Sequence, residues 1–232
     1  MDRVGDALVW PFRDPEWLEK LVIIGLISLI PLVGGINANG WMMAAVRRLR
    51  DGDERLPPAG FGYLWPGFQL FVVLVVYALG LLVLAAVPFL PGVLLLSSQS
   101  SSSTNWLLVV SGVALLLLGF GIMLIGSLAF FFITPAIVLA TLDGGVGGGL
   151  AIAGIWRRIR DTPAYTLLAG LMLVAANFIG GLGIYALVVG IIFTFPYSLA
   201  MEAWIVRSYE LGAASSPQEA LHVGPSSAAT ER

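Results

Sequence analysis

The chain has 232 residues, of which 58% are hydrophobic and only 11% charged. Water-soluble domains carry about a quarter charged residues, so this shortage excludes an ordinary soluble fold and points to an integral membrane protein. A net charge of −2 speaks against a nucleic-acid partner, and the absence of cysteine excludes disulfides, thiolate metal sites and cysteine catalysis.

Residues 1–20 mix Asp2, Asp6, Asp14, Glu16 and Glu19 with Trp10, Phe12 and Trp17, which reads as an interfacial N-terminal segment. Asp14-Pro15-Glu16 predicts an N-cap, a proline at the first helical position and an acid in the first turn. Residues 21–46 are apolar but interrupted by Pro31, Gly34, Gly35, Asn37 and Asn39. At about 1.5 Å per residue they cover roughly 39 Å, enough for one kinked crossing. Two crossings would have about 13 residues each against the roughly 20 that a span needs. One kinked span is the expectation, with a re-entrant hairpin as the competing arrangement. Pro31, Asn37 and Asn39 form its candidate helix break or polar site, because proline frees a carbonyl that an amide can resatisfy. No cleavable signal precedes this run, so it is expected to be retained.

Residues 47–66 are polar and turn-rich, with Phe61, Tyr63 and Trp65 suited to an interface. Residues 68–87 read as a second span, ended by Pro88 and Pro91, and 97–105 as an uncharged serine-rich loop. The third span runs from Trp106 to about Ile133, ended or kinked at Thr134-Pro135. Residues 143–149, an aspartate followed by glycines and one valine, read as a hinge: they lack the Gly-Lys-Ser/Thr ending of a phosphate loop. Residues 150–161 predict a short amphipathic helix. A fourth span covers 166–179, extending back through Tyr165. A turn at 180–183 leads to a fifth span at 184–206, kinked by Pro196, and residues 212–232 have the composition of a disordered tail. The fold class is therefore all-α: a bundle of about five transmembrane helices over 21–211, plus one interfacial amphipathic helix.

Arg47, Arg48 and Arg50, followed by Asp51, return 110 positions later as Arg157, Arg158 and Arg160, followed by Asp161. The likeness reads either as a parallel repeat (21–87 and 106–181) or as coincidence between two positively charged loops. These six arginines are candidate contacts for anionic lipid, and they also serve as topogenic charge. The positive-inside rule places them in the cytoplasm, giving an outside N-terminus and a cytoplasmic C-terminus. Arg3, Arg13 and Lys20 pull the other way. If they prevail, residues 21–46 must re-enter or cross twice.

Within the expected spans the one ionisable acid or base is Glu202, near the cytoplasmic end, where it would pair with Arg207 or reach the interface. The single histidine, His222, has no partner cluster, so neither a metal site nor axial ligation is indicated. No catalytic constellation is present, and no motif assigns a cofactor. Asn37, Asn39 and Asn177 suit bonding between helices. The pairs Gly40/Ala44, Ala176/Gly180 and Ala186/Gly190 suit close helix approach, including homo-oligomer or partner packing. The seven tryptophans mostly fall where interfaces are expected.

The order of these pieces resembles the DUF4013 family of bacterial and archaeal membrane proteins. The resemblance is carried by Phe12, Asp14-Pro15-Glu16-Trp17 and Lys20, then Ile30-Pro31, Gly40, Arg47-Arg48, Gly52, Leu56-Pro57 and Gly67. It continues more loosely at Phe195-Pro196-Tyr197 and Tyr209. It implies a multi-pass helical domain in a prokaryotic plasma (inner) membrane and brings no catalytic residues. The expected function is a non-enzymatic accessory, scaffold or assembly subunit packing against membrane lipids and other membrane proteins. The alternative is a transporter or channel-like carrier for an uncharged or lipidic molecule.

Overall fold

A computed structural model describes residues 6–99 and 105–214, so the predicted tail beyond 214 and part of the serine-rich loop lie outside the described residues. The described chain is helical, with no strand. Its helices are α1 (Asp6–Val9), α2 (Trp17–Ser28), α3 (Val33–Arg50), α4 (Leu64–Ser97), α5 (Trp106–Gly149), α6 (Ile152–Asp161), α7 (Pro163–Leu182) and α8 (Leu187–Ala214), with 3₁₀ turns at Trp10–Arg13 and Gly183–Ala186. Among them α4, α5 and α7 are long and apolar enough to cross a membrane. The chain divides into two compact units, one of Met1–Phe71 with Phe132–Arg232 and one of Val72–Phe131.

Residues 21–46 are not the single kinked crossing expected from hydropathy. α2 stops at Ser28, and the chain reverses before α3 begins. The Val33 amide donates to the Pro31 carbonyl at 2.7 Å, closing a γ-turn whose central residue, Leu32, sits at φ 63°, ψ −59°. Such a turn is rare and stores about 1–3 kcal/mol of strain. Pro31 explains why the chain breaks here, since it cannot donate the amide that would continue α2. Gly34 then lets α3 pass against the Ile27 carbonyl, where a Cβ would overlap. The start of α2 and the arginine end of α3 meet the same residue: Asp14 accepts from the Leu56 amide at 2.8 Å, while Arg48 donates to the Leu56 carbonyl at 3.2 Å. The two helices are thus an antiparallel hairpin. At 12 and 18 residues they cover about 18 and 27 Å, short of a hydrocarbon core of about 30 Å. Its tip, Leu29 to Val33, is apolar and exposed, as a tip surrounded by lipid would be.

Asp14 does not cap α2. Glu16 occupies that position without a side-chain capping bond, its carboxylate pairing with Lys20 at 3.2 Å instead. Asp14 is instead 1% exposed and accepts from Lys20 Nζ at 2.8 Å and the Glu16 amide at 2.9 Å, as well as from Leu56. Residues 56–63 form a strap along α3. Trp41 Nε1 donates to the Pro57 carbonyl at 3.2 Å, and Asn37 bonds Gly60 and Tyr63. α3 and α4 cross at Gly40 and Gly67, each of which lies against backbone of the other's neighbourhood.

Elsewhere in this unit, Gly25 packs α2 on the backbone of Ile192 in α8. α7 and α8 are antiparallel. Thr194 donates to the Gly180 carbonyl at 2.9 Å, and buried Tyr209 accepts from Thr166 at 3.3 Å. Ala176 is fully buried and Gly180 lies on Ser198, so these small residues are consumed inside the chain, as Gly40 is. Trp10 and Trp41 are also interior rather than interfacial, and both are fully buried. Trp65, Trp106 and Trp156 remain outward.

In the second unit, α4 and α5 approach at Gly92, Gly112, Gly119 and Gly126. Neither proline ends α4, which runs through Pro88 and Pro91 to Ser97. In an apolar medium the remaining backbone groups have no partner outside the helix, so continuing it costs less than breaking it. Most of the unit's large side chains face outward, Val87, Leu94 and Leu107 among them, which is stable only where lipid replaces water.

Candidate functional site

The two arginine clusters, alike in text, are used differently. Arg47, Arg48 and Arg50 close α3, where cations complement the helix's negative end. Arg48 pairs with Asp53. Arg50 reaches Asp143 of α5 and Glu210 of α8, both at 2.7 Å, and Arg207 joins Glu210 at 2.7 Å. Arg48 and Arg50 are therefore spent on tying loop and helix ends together. Arg47 is exposed. Arg50→Met should leave Asp143 and Glu210 facing each other's region without their shared cation and cost about 1–3 kcal/mol, read as a lower melting temperature of the detergent-purified protein.

Arg157, Arg158 and Arg160 sit on α6, a separate ten-residue helix. Among the described residues none of the three forms an ion pair. Ile155 turns inward, while Ile152 and Trp156 are 68% and 64% exposed. Free cations beside outward apolar and aromatic side chains are the pattern of a helix lying in a membrane interface.

Between α6 and the end of α5 lies a cavity of about 330 Å³, lined by Ala136, Ala140, Gly148, Gly154 and Ile155, with Arg158 and Asp143 as its charged members. The glycine run builds it. α5 breaks at Gly144 and Gly145, the latter at φ 59°, ψ −149°, a conformation open essentially to glycine alone. Gly148 then sits against the Ala140 carbonyl with no space for a Cβ. The segment expected to be a hinge is here a tight reversal that folds back on α5.

The three residues of the predicted polar break take up separate positions in the fold. Pro31 is at the exposed hairpin tip. Asn37 is fully buried, with Nδ2 donating to Gly60 at 2.8 Å and Oδ1 accepting from the Tyr63 amide at 3.3 Å. Asn39 bonds locally to the Gly35 carbonyl at 2.9 Å. Asn37→Leu should cost about 2 kcal/mol or more, because two strap groups lose their partner. Asn39→Leu should be nearly neutral, and thermal melting of both variants checks the contrast. Among the described residues Glu202 forms no ion pair with Arg207; it accepts from Asn177 of α7 at 2.9 Å, bridging α7 to α8.

The family model described as "Protein of unknown function (DUF4013)" matches residues 23–189. The chain belongs to the DUF4013 family. No curated protein and no solved structure matches it. The match extends from within α2 to the start of α8, so most of the α2–α3 hairpin, together with the strap, the glycine reversal and α6, falls inside the DUF4013 region. Sequence reading missed the Asp14–Lys20–Leu56 junction, since its partners are 6 and 42 positions apart. It also missed the heptad spacing of Gly112, Gly119 and Gly126, a visible signal of one glycine face on α5.

Proposed function

We propose that this protein is a non-enzymatic, multi-pass membrane protein that acts as an accessory or scaffold component, holding lipid and neighbouring membrane proteins rather than turning over a substrate. The supporting observation is where the polar side chains go. The buried ones among the described residues are Asp14, Asn37, Thr141, Thr162, Thr166 and Ser198. Each is bonded to backbone or to a neighbouring side chain. A carrier or enzyme would aim such groups into its cavity. The cations of α6, by contrast, remain available to an external anion.

In the proposed topology α4, α5, α7 and α8 cross a prokaryotic plasma membrane, and the α2–α3 hairpin re-enters from the arginine side. Both the N-terminal segment and the end of α8 then lie in the cytoplasm. Because the chain has no cysteine, single-cysteine variants report topology directly. Glu16→Cys and Arg55→Cys should label only from the cytoplasmic side, and Tyr185→Cys only from the opposite side. Labelling of positions 16 and 55 from different sides would refute the hairpin.

The role itself is tested by gentle-detergent purification from the native membrane and mass spectrometry of the intact particle. A stoichiometric partner protein supports the accessory reading. A lone monomer that moves a solute across liposomes sinks it in favour of a carrier.

A further inference from the structure

We infer that the cavity between α5 and α6 is a binding site for the headgroup of one anionic phospholipid, with Arg158 as its phosphate ligand; this rests on the lipid-holding half of the function proposed above. At about 330 Å³ the cavity is at the small end of ligand pockets, about 300–1,000 Å³, and suits a headgroup rather than a whole lipid. Its walls are mostly alanine and glycine, which accept glycerol carbons and the first acyl methylenes without demanding hydrogen bonds. Its charge is set by two residues. Asp143 is already held by Arg50 at 2.7 Å, whereas half-buried Arg158 has no acidic partner among the described residues. A partly desolvated guanidinium without a counterion is unfavourable, and a phosphate satisfies its planar fork with two parallel bonds. Exposed Arg157 and Arg160 add long-range attraction for an anionic leaflet. Ile152 and Trp156, outward on the same short helix, place the cavity at headgroup depth, where a lipid can enter sideways.

The same chemistry would accept free phosphate, so the test separates the two. The purified full-length protein is exchanged into nanodiscs of phosphatidylcholine with a minor fraction of phosphatidylglycerol, then released and weighed by native mass spectrometry. The wild type should retain one phosphatidylglycerol per chain. Arg158→Gln should lower that retention about tenfold, the size expected for losing one charge-assisted contact. Gly154→Leu should lower it similarly by filling the cavity while keeping every charge. A Cβ at Gly154 meets nothing within 4 Å, so the helix backbone accepts a side chain there and this variant should melt close to the wild type. Arg157→Gln, outside the cavity, should change retention less than twofold.

Retention unchanged in both Arg158→Gln and Gly154→Leu would overturn the site. Displacement of phosphatidylglycerol by millimolar inorganic phosphate would overturn the lipid assignment in favour of a free anion. A native particle that carries a partner protein but loses no lipid in these variants would refute this site and leave the scaffold reading standing. Specific retention in a protein that also transports a solute would do the reverse.

Discussion

Asp14→Ala is expected to cost about 3–5 kcal/mol, the range for removing one member of a buried ion pair, enough to unfold much of a marginally stable protein. Its carboxylate is 1% exposed and Lys20 is 13% exposed, so the lysine would be left largely desolvated, with the exposed Glu16 carboxylate at 3.2 Å as its remaining ion-pair partner. The Leu56 amide would lose its acceptor in the same step, and with it the attachment of the strap to the start of α2. Asp14→Asn should cost less, since its oxygen still accepts from Leu56. Thermal unfolding in mild detergent checks both, and an Asp14→Ala protein that melts within a degree of the wild type would refute the assignment. The junction also sets a pH dependence. Burial alone would raise the Asp14 pKa, but the Lys20 bond and the Glu16 and Leu56 amides outweigh it and hold the carboxyl below its ordinary value. The stabilisation is therefore complete above the unfolded value of about 3.9 and lost as pH falls through the lower folded value. Lys20 is raised despite burial, so its share is complete below about 10.4 and lost as pH rises beyond that. Between those limits the junction should contribute no slope to the melting temperature.

Gly67→Val should be the other most damaging single change. A Cβ at Gly67 would overlap the Ile36 carbonyl, and one at Gly40 would overlap the Tyr63 carbonyl. The obstacles are backbone atoms inside or beside helices, so no rotamer change relieves them. Overpacking in a flexible surrounding costs about 1–3 kcal/mol. Two helix backbones forced apart, with the Asn37 strap contacts at the same crossing, should exceed that range. Gly80→Ala is the matched control. It lies mid-helix with open space around it, and should be neutral or stabilise by up to about 1 kcal/mol through helix propensity. If both variants purify and melt alike, the close crossing of α3 and α4 is wrong.

The helical class and membrane character were legible because they rest on composition and on runs of apolar residues, properties that need no partner. α6 was legible too, since its alternation of apolar and basic residues is local. The α2–α3 hairpin was not. Its reversal needs only Pro31 and Leu32 inside an unbroken apolar run, and a hydropathy count over 21–46 sums across it. The prolines of α4 misled in the opposite direction: Pro88 and Pro91 read as a stop in water, whereas an apolar medium favours continuing the helix. The two arginine clusters are indistinguishable as text. Only the arrival of Asp143 and Glu210, 93 and 160 positions from Arg50, separates the paired set from the free one. The glycine run after Asp143 reads as freedom in sequence, and in the fold it is used for a tight reversal in which Gly148 closes against Ala140.

The γ-turn at Leu32 bears on how the protein gets into a bilayer. A hairpin that opens and closes on one face never has to carry its flanks through the hydrocarbon. In the proposed topology Leu29 to Val33 travel farthest inward, and no residue from 21 to 46 is charged. In that arrangement the acids of the N-terminal segment and the arginines that close α3 never cross the hydrocarbon, avoiding the several kilocalories per mole that burying each charge there would cost. Insertion of this part of the chain is then a one-sided event, like pressing a staple into a surface, with no need of machinery that pulls polar segments to the far side.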